Sequence, residues 1–95
     1  MEVVQTSDSI TQQMKNEILD FCKNARNQHP DNLWEQTCLI KPKVDEKYGG
    51  NWIVVAYEGN VAANYSIFKD YFIRVSYNKN PMVYYDIACV GEQNN

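Results

Sequence analysis

The fold of this chain is decided at Lys47-Tyr48-Gly49-Gly50-Asn51-Trp52-Ile53-Val54-Val55-Ala56. A charged segment with helical spacing stops at the glycine pair, and glycine readily takes the left-handed conformation that ends a helix. The run Ile53, Val54 and Val55 then favours a strand, because β-branched side chains suit a pleated backbone. Helical patterning before this junction and strand patterning after it predict helices packed on a sheet.

Composition indicates one globular domain over residues 1–95, with a frayed tail at about 91–95. The chain is 44% apolar and 13% aromatic, and its net charge is −3. This acidic balance lacks the basic surface that nucleic-acid binding requires, so no nucleic-acid partner is expected. No stretch is apolar enough to cross a bilayer, so no membrane partner is expected either. Residues 1–6 carry an acid where a signal peptide needs positive charge, which predicts a cytoplasmic location.

No pattern in the sequence predicts an enzyme, a metal site or a cofactor. The spacings of Cys22, Cys38 and Cys89 match no zinc or redox motif. Residue counts leave a Cys–His nucleophilic pair open, but His29 is better interpreted as a solvated loop residue, and Cys22 and Cys38 as small buried hydrophobes. The carboxylates considered as acids or bases stand singly among polar residues, which predicts surface positions: Asp45, Glu46, Glu58, Asp70 and Asp86.

Two helices are predicted from apolar residues at helical spacing. Ser9 with Gln12 has the spacing of a capping box and predicts the start of the first helix. Its apolar stripe consists of Ile10, Met14, Ile18, Phe21, Cys22 and Ala25.

The second helix is predicted to start near Asn32, with Glu35 as the partner in its capping box, and to end at Gly49. Pro42 inside it removes the bond to the Cys38 carbonyl at a cost of about 3 kcal/mol, which predicts a kink or an interruption. Its inner face is expected to carry Leu33, Thr37, Ile40, Val44 and Tyr48.

After residue 51 the apolar period changes to two, which predicts strands. The predicted strands cover residues 52–57, 71–77 and 82–88, with a short first strand at 3–5. Turns are predicted at 58–60 and 78–80. Together with the helices they predict an α+β fold, two helices packed on an antiparallel sheet.

One further segment suits the edge of a sheet, because its middle is small and polar. An edge strand presents unpaired backbone groups that accept another strand. The alternative is a partly ordered loop. The segment consists of Val61, Ala62, Ala63, Asn64, Tyr65, Ser66 and Ile67.

The run from 44 to 55 resembles the dynein light chain family. That family shows Phe-Asp-Lys-Lys-Tyr or Phe, a few turn residues, then Trp-His and an apolar strand. Asp45, Lys47, Tyr48 and Trp52 match this pattern. The likeness is specific over about 45–56 and extends as a pattern of elements over about 4–89, with 72–73 similar to the family's penultimate strand.

The resemblance implies a strand-exchanged dimer that docks short peptide segments by strand addition. Implied partners are the dynein intermediate chain or other disordered chains, and a second light chain, in the cytoplasm and cytoskeleton. Implied dimer contacts are Trp52, Ile53, Ala63 and Tyr65. Implied peptide contacts are Val61, Ala62, Ala63, Asn64, Tyr65, Ser66, Ile67, Phe72, Arg74 and Ser76.

Departures from the family pattern argue against its usual glutamine-containing motif. The tyrosine pair of the family falls at Arg74 and Ser76, its interface histidine at Ile53, and its peptide-binding lysine near Trp34 and Glu35. Three functions stay open: a divergent peptide-docking hub, an axonemal-type heterodimer partner without its own groove, and a cystatin-like inhibitor. The inhibitor requires one major helix, whereas two are predicted here.

Overall fold

The computed structural model describes residues 1–59 and 70–89. The described residues form two helices, α1 (Gln12–Gln28) and α2 (Leu33–Tyr48). They also form four strands, β1 (Glu2–Thr6), β2 (Trp52–Glu58), β3 (Tyr71–Tyr77) and β4 (Val83–Cys89). The predicted α+β class is confirmed, whereas the segment predicted as an edge strand at 61–67 and the tail at 91–95 lie outside the described residues.

The four strands make one antiparallel sheet in the order β1-β3-β4-β2. β3 and β4 are joined by the predicted turn at 78–80 and occupy the centre of the described sheet. The pairing of β1 with β3 is irregular between Val3 and Gln5, where the register shifts. β1 and β2 are therefore the outer strands of the described part of the sheet.

The helices cover one face of the sheet, which is called the inner face here. On that face Ile73 lies opposite Ile87 and Val75 opposite Tyr85. All four are fully buried and belong to one hydrophobic core. Burial of each such side chain stabilises the fold by roughly 1.5–3 kcal/mol. The helices contribute Ile18, Cys22, Ala25, Ile40 and Val44 to this core.

The predicted start of α1 is wrong by two residues, and that of α2 is confirmed. Thr11 caps α1, and its hydroxyl oxygen accepts a hydrogen bond from the Met14 N–H at 3.1 Å. Ser9 does not cap because a turn precedes the helix, in which the Ile10 N–H donates to the Ser7 carbonyl. At α2 the Asn32 side chain accepts from the Glu35 N–H at 3.0 Å, as the sequence predicts.

α2 runs from Leu33 to Tyr48 as a single helix that contains Pro42. Of the two predicted outcomes, the interruption is therefore wrong, and the kink stays a prediction. Ile40 and Val44, on either side of the proline, are fully buried. Their burial offsets the lost backbone hydrogen bond.

The junction of α2 with β2 is fixed by hydrogen bonds among Lys41, Asp45, Gly49 and Trp52. Asp45 Oδ1 accepts from the Trp52 N–H at 3.1 Å, and Lys41 Nζ donates to Asp45 Oδ2 at 2.8 Å. Lys41 also donates to the Trp52 carbonyl, and the Trp52 indole N–H donates to the Gly49 carbonyl, both at 2.7 Å. Gly49 has φ 73° and ψ 168°, a combination that essentially only glycine adopts. Two of the residues that resemble the dynein light chain pattern, Asp45 and Trp52, are thus among those that join helix to strand.

Replacing Asp45 with alanine is expected to destabilise the fold by about 1–2 kcal/mol, because the Trp52 N–H loses a charged acceptor. Glu46→Ala is the matched control, since Glu46 is exposed and is expected to change stability by less than about 0.5 kcal/mol. Chemical denaturation measures both free energies of unfolding. Equal losses in the two variants would contradict the role given to Asp45.

Candidate interaction surface

The face of the sheet turned away from the helices, called the outer face here, carries three rows of side chains in register. The central row and one flanking row cross all four strands, and the other flanking row crosses three. The rows are Phe72, Ala88 and Ile53; Gln5, Arg74, Asp86 and Val55; and Glu2, Ser76, Tyr84 and Tyr57. The sheet thus brings together Phe72, Arg74, Ser76 and Ile53, which the sequence predicts as contact residues, and places Trp52 on the inner face.

A buried ion pair stands in the centre of the outer face. Arg74 Nε donates to Asp86 Oδ1 at 2.7 Å, and a terminal guanidinium nitrogen donates to Oδ2 at 3.1 Å. Gln5 accepts from the other terminal nitrogen at 3.1 Å, and the Tyr57 hydroxyl donates to Asp86 Oδ2 at 3.0 Å. Arg74 is 7% exposed and Asp86 is 2% exposed. Four strands therefore share one polar network.

The network changes the proton affinities of its members in the expected directions. The hydrogen bond that Arg74 donates to Asp86 raises the pKa of Arg74, against the effect of burial. Burial, together with the hydrogen bond to Asp86, raises the pKa of Tyr57 to about 12. Arg74 therefore stays charged and Tyr57 stays a hydrogen-bond donor at neutral pH.

The residues predicted to contact partners differ sharply in exposure. Phe72 is 2% exposed and Ser76 is 5% exposed, and Arg74 bonds to its own sheet. Trp52 is 1% exposed and packs between Tyr48 and Tyr71, with ring centroids 5.7 and 5.8 Å away. Ile53 is 39% exposed. The partner contacts of all these residues stay predictions, and Ile53 is the most accessible of them.

Replacing Asp86 with alanine is expected to destabilise the fold by about 3–5 kcal/mol, since it leaves a buried guanidinium without its carboxylate. The double variant Arg74→Met with Asp86→Leu should regain most of that loss, because it removes both charges. Chemical denaturation of the two variants and the wild type measures the difference. A double variant no more stable than Asp86→Ala would contradict this account.

A groove between α2 and β2, called the α2–β2 groove here, is a second candidate surface and lies on the helix side of the sheet. It has a volume of about 400 Å³ and is lined mainly by apolar atoms. Its lining residues are Trp34, Thr37, Cys38, Lys41, Pro42, Asp45 and Val54. Trp34 is 73% exposed, which is unusual for so large an apolar side chain.

β2 borders this groove with an open edge. It pairs with β4 along one side from Trp52 to Glu58. Among residues 1–59 and 70–89, no strand pairs with its other side. Such an edge presents backbone N–H and C=O groups in the spacing that another strand requires.

Groups that could perform chemistry are not brought together in the described structure. Burial raises the pKa of Cys22 to about 12, so its thiol is protonated and a poor nucleophile. Cys38 is exposed, which corrects the prediction of a buried residue: it lies on the groove side of α2. His29 is half-buried and ends α1, its N–H donating to the Ala25 carbonyl at 3.0 Å.

The described residues were also compared with the requirements of a metal site and of a membrane-spanning helix. Those residues hold no cluster of three or more His, Cys, Asp or Glu that could bind a metal ion. They also contain no helix with the length and apolarity needed to span a membrane.

Comparison with solved structures finds the dynein light chain-like domain of the Fasciola hepatica calcium binding protein FhCaBP2. A mercury derivative of that domain superposes with a TM-score of 0.71 at 17% sequence identity, covering 96% of this chain and 92% of that one. The native form gives 0.71 and 17%, covering 95% and 90%. This chain has a dynein light chain-like fold. The resemblance seen around Asp45 and Trp52 is thereby confirmed for the fold.

Two sequence comparisons find no match. No protein-family model matches this chain. No curated protein matches it either. The dynein light chain-like character of this chain therefore rests on its structure and on the residues of the α2–β2 junction.

Sequence reasoning missed two features of this surface. The surface position predicted for Asp86 is wrong, since Asp86 is buried against Arg74. Their pairing was signalled only by one charge of each sign inside two apolar strands. The exposure of Trp34 was signalled by its place beside polar Glu35 and two residues after the cap Asn32, outside the apolar stripe of α2.

Proposed function

We propose that this protein is a non-catalytic adaptor that dimerises and docks short linear segments of partner chains by β-strand addition. The observation that carries the proposal is the edge of β2 that no other described strand pairs with, beside the apolar α2–β2 groove, in a dynein light chain-like fold. Backbone hydrogen bonds to an edge supply affinity, and a neighbouring groove selects side chains. The segment 61–67 is proposed as the strand that crosses to a partner subunit.

The lining of the groove supports a distinct peptide preference. Trp34 offers a large exposed aromatic surface near the position, Trp34 or Glu35, where the dynein light chain pattern has a lysine. Lys41, the only lysine among the described residues that line this groove, already donates to Asp45 and to the Trp52 carbonyl. An apolar or aromatic side chain of the partner therefore fits this groove better than a polar amide.

The partner proposed for this site is a disordered chain, with the dynein intermediate chain as one example, in the cytoplasm and cytoskeleton. A dimer would carry two docking sites and would pair two copies of such a chain. Pairing raises the effective concentration of the second copy without any new contact. The fold supports this proposal, and the chemistry of the described residues adds no catalytic group that would favour an enzyme.

Replacing Trp34 with alanine is expected to weaken a docked peptide at least about tenfold, as removal of a central aromatic anchor does. The peptide is first selected from a random library with the purified chain, and its affinity is then measured by calorimetry. Val4→Ala is the control, because Val4 is 47% exposed but lies on β1 at the opposite edge. Its affinity should equal that of the wild type.

Amide chemical shifts locate the docked peptide independently. Changes confined to residues 33–42 and 52–58 are expected if the peptide lies between α2 and β2. The proposed docking site would be overturned by a selected peptide that binds Trp34→Ala as tightly as the wild type and shifts amides elsewhere in the protein.

The proposed homodimer has a direct test in solution mass. We expect twice the 11.1 kDa of one chain for the wild type, and a single chain for Ile53→Glu, because the variant would bury a charge on the outer face. Val4→Glu adds the same charge at β1 and should stay dimeric. A monomeric wild type would contradict the homodimer, and recovery of the two-chain mass with a typical light chain would support the heterodimer instead.

A further inference from the structure

A second surface lies at the end of α1, beside the turn between β3 and β4. It is a cleft of about 640 Å³, called the basic cleft here and defined by Lys23, Arg26, Asp31, Tyr77 and Lys79. Three of these side chains are cationic and one is a carboxylate, in a chain whose net charge is −3. The sign of the local charge is therefore opposite to that of the whole protein.

Arg26 is held in position by aromatic residues of the sheet. Its terminal guanidinium nitrogen donates to the Tyr85 hydroxyl at 3.0 Å, and its central carbon lies 3.8 Å from the centre of the Tyr77 ring. The Tyr85 hydroxyl in turn donates to Gln36 Oε1 inside the core. Among the described residues no carboxylate forms an ion pair with this guanidinium, and further N–H groups remain for a ligand.

The cations of the basic cleft are not neutralised by ion pairs within the described ranges. The ion pairs there join Lys41 to Asp45, Lys47 to Glu17 and Arg74 to Asp86. None of them includes Lys23, Arg26 or Lys79.

Two structural explanations account for only part of this charge. A cation in the last turn of a helix stabilises the helix dipole, which explains Arg26. It does not explain Lys79, which stands on the turn after β3. The second explanation is partial neutralisation, because Glu58 and Asp31 line a small neighbouring cleft with Arg26 and Lys79. With Lys23 counted, the cations still outnumber these two carboxylates.

We propose that the basic cleft binds the carboxylates of an acidic segment of a partner chain. Its volume exceeds that of a single small anion, and its cations come from two separate elements, as an extended segment requires. Arg26 already covers one face of the Tyr77 ring, so that face is not available for a base or a sugar to stack on. This site is separate from strand addition at β2 and does not depend on it.

The test uses the full chain and a hexaglutamate peptide, with hexaglutamine as the neutral control, at constant ionic strength. Saturable amide shifts are expected at residues 23–31 and 77–79 with hexaglutamate alone. Lys79→Gln and Arg26→Gln should each weaken binding about three- to fivefold, as loss of one exposed ion pair does. Lys15→Gln removes the same charge near the other end of α1, outside the cleft, and should bind like the wild type.

The variants differ in what they could do to the fold. Lys79 is exposed, so Lys79→Gln decides the test if thermal melting shows that Arg26→Gln is unfolded. Equal binding of hexaglutamine, or equal weakening by Lys15→Gln, would overturn the proposal. Inorganic phosphate that binds as tightly as hexaglutamate would also overturn it, by showing a site for a small anion. Shifts that persist with the library-selected peptide bound would support two separate sites.

Discussion

The carboxylate of Asp45 fixes the register of β2, on which the rest of the sheet depends. It accepts the Trp52 N–H and is held by Lys41, so the first residue of β2 is fixed relative to the last two turns of α2. Side chains alternate along a strand, and a slip of one residue would send Trp52 outward and Ile53 into the core. The inner and outer faces of β2 therefore both depend on this one contact.

The same register continues across the sheet to the buried ion pair. With Trp52 opposite Cys89, Val55 comes to lie opposite Asp86, which in turn lies opposite Arg74. A buried ion pair adds little stability over apolar residues of the same size, but leaving either charge unpaired costs several kcal/mol. Alternative registers of β3 and β4 would separate the two charges. The pair thus excludes wrong pairings of strands that are otherwise rich in interchangeable apolar residues.

Local signals in the sequence were enough for the parts of the fold that local contacts determine. The cap at Asn32, the stop at Gly49 and the limits of β3 follow from residues within a few positions of each end. The cap of α1 did not, because Ser9 and Thr11 are both capable of capping and a turn from Ser7 chooses between them. The candidate site was predicted poorly, since pairing of distant strands and the rotation of α2 decide what is exposed.

That rotation also connects the two proposed binding surfaces. Gln36 is fully buried, accepts from Tyr85 and donates to the His29 carbonyl at 2.6 Å. These bonds hold the start of α2 in one orientation, with Trp34 turned outward, and the same Tyr85 hydroxyl positions Arg26. A surface built on fixed helices and strands loses less conformational entropy on binding than a loop does. The buried amide of Gln36 thus orients both the apolar groove and the basic cleft.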